Sequence, residues 1–132
     1  MTTTDKPTLQ DFHIDGVKHI TPDNAFAAVK NSEAILLDIR EENEWKLESI
    51  PLNDVYYQPM SVIMERLSFI PRDKAIIVFC PGGVRSAKVA NLLTMQGFKD
   101  VANLDGGFSM WKSQGLPFES NLSFGCGCGC SK

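Results

Sequence analysis

The chain has 132 residues, a formal net charge of −3 and four cysteines, with 43% hydrophobic and 22% charged residues. These values fit one soluble globular domain and exclude a disordered or membrane-embedded class. An acidic balance without a basic stripe excludes nucleic acid as a main partner, and the absence of any long apolar run leads to an expectation of no membrane and a cytoplasmic location.

Residues 1–10 are polar and threonine-rich and are expected to form a flexible tail ahead of a domain over residues 11–118. Phe12, Ile14, Val17 and Ile20 supply a short extended segment. Thr21-Pro22-Asp23 reads as an N-cap with proline at the first helical position, opening a helix that runs to about Asn31. His13 and His19 are read as strand or surface residues without a role. Ala34-Ile35-Leu36-Leu37 is a buried strand that ends in Asp38-Ile39-Arg40. The carboxyl ends of strands are where open α/β sheets bind ligands, so Asp38 and Arg40 are placed on the same edge as the cysteine discussed below. The simpler account of the two is a local ion pair that ties the loop. Trp45, on the short helix that follows, reads as packing.

Val55-Tyr56-Tyr57 gives a third strand, and Met60 to about Ile70 carries apolar residues at helical spacing before Pro71 stops it. Ala75-Ile76-Ile77-Val78-Phe79 is a strand that ends at Cys80. Pro81, Gly82 and Gly83 provide turn chemistry, and a helix is expected from Ser86 to near Gln96, with Gly97 as its C′ residue. Phe98 to Leu104 carries the last strand. Asp105-Gly106-Gly107 is a turn that lets the backbone pass closely against another segment. A final helix with Phe108, Met110 and Trp111 is stopped by Gly115-Leu116-Pro117, and Trp111 is its core anchor. The alternation implies an α/β sheet of about five mostly parallel strands with helices on both faces.

The chemistry concentrates at Cys80. A cysteine at the end of a strand faces the N-terminus of the next helix, where backbone N–H groups and the helix dipole favour an anion, here a thiolate. Cys80-Pro81-Gly82-Gly83-Val84-Arg85, with Ser86 next, has the form Cys-x-x-Gly-x-Arg. A loop of this length curls around its own first side chain, and Arg85 either adds fixed positive charge or ties down loop carbonyls. An inert buried cysteine is a common alternative at a strand end, and the flanking glycines, Arg85 and Ser86 weigh against it.

With these motifs the sequence resembles the rhodanese family of sulfurtransferases, in particular its short single-domain members. The resemblance covers about Ile14 to Pro117. It rests on Leu37-Asp38-Ile39-Arg40 with Glu44-Trp45, on Ile50-Pro51, on Cys80 to Ser86, and on Leu104-Asp105-Gly106-Gly107 with Trp111. It implies a rhodanese-like fold and an enzyme in which Cys80 carries sulfur as a persulfide held by loop N–H groups from Gly82 through Ser86. The implied partners are a small donor, thiosulfate or a persulfide, and an acceptor that is a thiol or a protein cysteine. No metal or organic cofactor is implied. Pro81 stands where family members often carry a basic residue, which disfavours thiosulfate. Glu48-Ser49 replaces the family's Gly-His, and Leu52 a glycine.

Two other readings compete. Cysteine phosphatases and arsenate reductases have five residues between Cys and Arg, whereas only Pro81, Gly82, Gly83 and Val84 intervene here. A non-catalytic rhodanese-like interaction module usually lacks the cysteine. The end of the chain, expected as a flexible tail over residues 119–132, carries Cys126, Cys128 and Cys130 alternating with glycine. Such spacing cannot staple a core and fits thiol chemistry in a reduced compartment. A sulfur relay is its preferred use. Cu(I), which tolerates low thiolate coordination, is the better soft-metal candidate, and zinc is disfavoured for want of a fourth ligand.

Overall fold

Strands this short gain stability only by pairing, and each crossover returns the chain so that the next strand runs parallel to the others. In the computed structural model, which describes residues 1–121, β1 (Lys18–Ile20), β2 (Ala34–Asp38), β4 (Val55–Tyr57), β5 (Ala75–Phe79) and β6 (Val101–Leu104) form one parallel sheet. Its order is β1-β6-β5-β2-β4, with β5 at the centre. The helices are α1 (Pro22–Lys30), α2 (Glu42–Trp45), α3 (Val84–Met95) and α4 (Gly107–Ser113). Among the described residues no helix is long and apolar enough to cross a membrane.

Strand alternation divides the core in two. Ile77 and Phe79 of β5 pack with Ala25 and Val29 of α1 and with Phe108 and Trp111 of α4. Ile76, Val78 and Cys80 point the other way, toward Val89, Ala90 and Leu93 of α3. Cys80 therefore lies on the face covered by the helix that its own loop begins. Trp111 is fully buried, with its indole N–H donating to Pro117 C=O at 2.7 Å, as its role as an anchor requires.

Several elements differ from their sequence expectation. Residues 60–70 form two 3₁₀ turns, Ile63–Glu65 and Leu67–Phe69, in place of one helix. Ile63 and Ile70 are buried and Leu67 packs beside them, so the spacing reports the buried face correctly. The backbone breaks at Arg66 (φ −121°), and a segment this short between prolines gains little from α-helical cooperativity. Helix α3 starts at Val84, two residues early, because Gly83 adopts φ 93° and serves as its N-cap. The last strand starts only at Val101, since Phe98 folds back onto α3, its N–H donating to Leu93 C=O at 3.1 Å.

Both expected tails contribute ordered pairing. Glu119–Ser120 (β7) pairs antiparallel with Glu48–Ser49 (β3). At the other end, Thr4 exchanges backbone hydrogen bonds with His19, and the Asp105 carboxylate accepts the N–H groups of Thr8 (2.7 Å) and Leu9 (3.0 Å). Asp105 is almost fully buried, so these bonds satisfy a carboxylate that burial would otherwise penalise. Asp105→Ala is expected to lower stability by about 1.5–3 kcal/mol, the range for hydrogen bonds to a charged group, and to speed amide exchange at Thr8 and Leu9. Denaturant titration combined with residue-resolved hydrogen exchange measures both.

Candidate active site around Cys80

The sulfur of Cys80 sits inside the turn that starts helix α3. Gly83 N–H donates to Sγ at 3.2 Å and Ser86 N–H at 3.3 Å, while Ser86 Oγ lies 3.3 Å away. Two backbone donors and the positive end of a 12-residue helix thus converge on one atom. Cys80 is buried, with 1% of its surface exposed. Pro81, Gly82 and Val84 complete the loop.

The carbonyl side of the loop is held from outside. Cys80 C=O accepts from Phe108 N–H at 2.8 Å, and Pro81 C=O from Ser109 N–H at 3.0 Å. These amides belong to the first turn of α4, which has no intrahelical partners for them. The approach requires Gly107: at φ 67°, a Cβ there would lie 2.6 Å from both carbonyl oxygens. The close pass expected of the Asp105-Gly106-Gly107 turn is therefore against the Cys80 loop itself.

Arg85 does not close the loop. Its Nη1 and Nη2 donate to the two carboxylate oxygens of Glu44 at 3.0 and 2.9 Å, which ties the first turn of α3 to α2. This bond holds the Glu44 carboxyl below its usual value of 4.5, and it raises the Arg85 guanidinium further, with a smaller push from the nearby Cys80. Of the two roles expected for Arg85, the tie to loop carbonyls is replaced by the bonds to Glu44, whose carboxylate matches the positive charge. The sequence reading has Glu44 only as part of the Glu44-Trp45 motif, because nothing in a string marks a pair 41 residues apart.

Asp38 and Arg40 form the ion pair expected of them. Arg40 Nη2 donates to Asp38 Oδ2 at 2.8 Å, and Arg40 N–H and Nε–H both donate to Oδ1 at 3.0 Å. Burial pushes the Asp38 carboxyl up, and Arg40 opposes that shift. The Arg40 guanidinium also lies over the Phe108 ring, 4.6 Å from its centroid, so the pair packs against the helix that supports the loop. Asp38 pairs in register with Phe79, one residue before Cys80, which puts both residues on the predicted edge. Trp45 packs against Tyr57, with ring centroids 4.8 Å apart and planes tilted by 42°.

A cleft of about 240 Å³ lies beside Pro81, lined by Arg40, Glu44, Leu47, Glu48, Phe108, Ser109 and Lys112. Lys112 Nζ pairs with Glu48 at 2.7 Å, so both cations in the cleft are already matched by carboxylates. Cys126, Cys128 and Cys130 lie outside the described residues. Among the described residues no group of three or more His, Cys, Asp or Glu side chains is placed to hold a metal ion.

The family model for the Rhodanese-like domain matches residues 4–114. The chain belongs to the rhodanese-like family. Its relatives include a sulfurtransferase of Allochromatium vinosum, 38% identical over 85 residues, which are 64% of this chain and 78% of that protein. A thiosulfate sulfurtransferase of Vibrio cholerae is 32% identical over 111 residues, covering 82% of this chain and the whole of that one. Among solved structures, a rhodanese-related protein from Thermoplasma volcanium superposes with a TM-score of 0.69 at 28% identity, over 76% of this chain and 96% of its own. The five-stranded parallel sheet described above is thus a rhodanese-like fold, and the two relatives from Allochromatium vinosum and Vibrio cholerae are sulfurtransferases by name.

Within this rhodanese-like site the Glu44–Arg85 pair is testable by itself. Glu44 has a depressed folded value, so its contribution is present above pH 4.5 and is lost as pH falls through the lower folded value. Both side chains are about a third exposed, which limits their coupling to roughly 0.2–1 kcal/mol. A double-mutant cycle with Glu44→Ala and Arg85→Ala is expected to show that coupling at pH 7 and to lose it in acid.

Proposed function

We propose that the protein is a sulfurtransferase that moves sulfane sulfur through a persulfide on Cys80. The supporting observation is the pair of N–H donors, from Gly83 and Ser86, already aimed at Sγ. Preorganised donors of this kind stabilise sulfur-centred negative charge without reorganising during the reaction. In the first step the Cys80 thiolate attacks the outer sulfur of a donor R–S–SH. The donor S–S bond breaks, its electron pair leaves with R–S⁻, and Cys80 carries the sulfur as a persulfide. In the second step an acceptor thiolate attacks that outer sulfur, and Cys80 leaves as thiolate.

The matched charges of the cleft favour a low-molecular-weight persulfide over the thiosulfate dianion, in line with Pro81 in place of a basic residue. Arg85 turned onto Glu44 also weighs against phosphatase or arsenate reductase chemistry, where the arginine must embrace a tetrahedral oxyanion. Substitution tests the assignment directly. Cys80→Ser is expected to fold normally, to gain no sulfur mass from a persulfide donor, and to lose turnover by on the order of 10³-fold or more. Retention of much of the rate refutes Cys80 as the carrier.

The acceptor in this proposal is the cysteine-rich end of the chain. Asn121, the last described residue, donates its N–H to Leu47 C=O at 2.6 Å and its Nδ2 to Lys46 C=O at 3.0 Å. Leu47 borders the cleft beside Pro81, so the chain leaves the described fold at that rim. At roughly 3.3 Å per residue, the stretch from Asn121 to Cys126 provides a reach on the order of 15 Å. Donor-treated protein is expected to carry sulfur on tail peptides as well as on the Cys80 peptide, with both labels absent in Cys80→Ser. Tail labelling that persists without Cys80 rules out the relay, and Cu(I) binding lost on deleting residues 125–132 assigns the thiols to metal instead.

A further inference from the structure

The loop that surrounds Cys80 Sγ has little of its own to hold it. Gly82 and Gly83 carry no side chains, and a Cβ built on Gly82 meets nothing within 4 Å. Gly83 stands at φ 93°, one of several backbone conformations open to glycine at low cost. The α4 amides hold the loop only at Cys80 and Pro81, so a hold on Gly83 must come from another part of the molecule.

Gln10 supplies it. Its Nε2 donates to Phe12 C=O at 2.9 Å and to Gly83 C=O at 3.1 Å. Its Oε1 accepts from Gly106 N–H at 2.8 Å and from Asn103 Nδ2 at 3.2 Å. Both amide hydrogens and both oxygen lone pairs are thus in use. Backbone carbonyls only accept and a backbone N–H only donates, so three of these partners fix which end of the Gln10 amide is which.

That orientation is passed on. Asn103 must turn its Nδ2 toward Gln10 and toward His19 Nδ1, 3.1 Å away, which leaves its Oδ1 facing Ser86. The Ser86 hydroxyl donates its one hydrogen to Oδ1 at 2.5 Å, which anchors the residue whose N–H faces the sulfur at 3.3 Å. Burial holds the His19 imidazole below its usual value, and the neutral ring that accepts from Asn103 at Nδ1 carries its hydrogen on Nε2, 3.1 Å from His13 Nδ1. On the other branch, the carbonyl gripped by Gln10 belongs to Gly83, whose N–H points at Sγ. The clamp also demands glycine there, since a Cβ on Gly83 would lie 1.8 Å from Gln10 Oε1.

We infer that Gln10 is a positioning residue for the sulfur site, holding Gly83 through its carbonyl and Ser86 through Asn103, the two residues whose N–H groups face the sulfur. None of Gln10's four hydrogen bonds goes to the sulfur. Asp105 places Gln10, by binding the N–H groups of the two residues just before it. The inference rests on Cys80 being the sulfur carrier, and its consequence is kinetic: donors that are not already aimed lose much of their catalytic value.

Gln10→Met keeps the length of the side chain and deletes all four hydrogen bonds. Gln10→Glu keeps two acceptors and sets a carboxylate against the carbonyls of Phe12 and Gly83. In the full-length protein, three quantities are measured well below each variant's Tm. They are the iodoacetamide alkylation rate at Cys80, followed by peptide-resolved mass spectrometry at fixed pH, the rate of sulfur uptake from a low-molecular-weight persulfide, and the donor KM. Gln10→Met is expected to slow alkylation and uptake each by about 10-fold, and Gln10→Glu by more, with KM held within about 2-fold. Wild-type rates in folded Gln10→Met overturn the inference. So does a loss confined to temperatures where the variant is unfolding, which assigns Gln10 to stability alone. A wild-type protein that takes up no sulfur defeats the sulfurtransferase proposal, and the alkylation comparison then still decides the role of Gln10.

Discussion

The site depends on the contact between two backbone segments at Gly107. A peptide loop presents N–H groups on one side and carbonyls on the other, and a sulfur anion tolerates only the first. The carbonyls of Cys80 and Pro81 are taken up by the amides of Phe108 and Ser109, which begin α4 and need acceptors in any case. With the carbonyls drawn outward, the donors of Gly83 and Ser86 are free to face Sγ. One local fact permits this exchange. Position 107 has no Cβ, and any side chain there would collide with the carbonyls that it must approach.

Charge is arranged around the site in matched pairs. Asp38–Arg40 is buried beneath the cleft, and Glu44–Arg85 and Lys112–Glu48 stand at its walls. Unpaired charge in the interior would be costly, and the aromatic faces of Phe79 and Phe108 take up part of the Arg40 guanidinium, 5.6 and 4.6 Å from their centroids. The field at Cys80 is therefore set mainly by fixed dipoles: two backbone N–H groups and the end of α3. Arg85 adds positive charge from a position held by Glu44.

The features legible in the sequence are those whose cause is local. The strand ending at Cys80, the glycine turn, the helix behind it and the N-cap at Thr21-Pro22 all follow from neighbouring residues, and the structure contains each of them. Gly107 was legible as a close approach, though its partner was not. Residues 60–70 show the limit of periodicity, because Ile63, Leu67 and Ile70 bury the same face whether the backbone is α-helical or a pair of 3₁₀ turns. Strand β7 spans two residues, too few for any alternation to register. Asn103 and Gln10 have no local signature, and the motif that contains Glu44 says nothing of its partner Arg85. All three are polar residues brought to the site only by the order in which the strands pair.

That strand order has a consequence for how the protein acquires its structure. The bonds from Thr8 and Leu9 to Asp105, and from Gln10 to Gly106 and Asn103, join residues 93 to 97 positions apart. Closing so large a loop carries an entropic penalty that local contacts cannot offset, and long-range pairing of this kind slows folding. Strand β6, which carries Asn103 and leads to Asp105, pairs with both β1 and β5, so docking of the N-terminal segment awaits the assembly of the sheet centre. A nascent chain can therefore contain Cys80, its glycine turn and helix α3 before it contains an organised sulfur nest. The thiol becomes a shaped site only when the two ends of the domain meet.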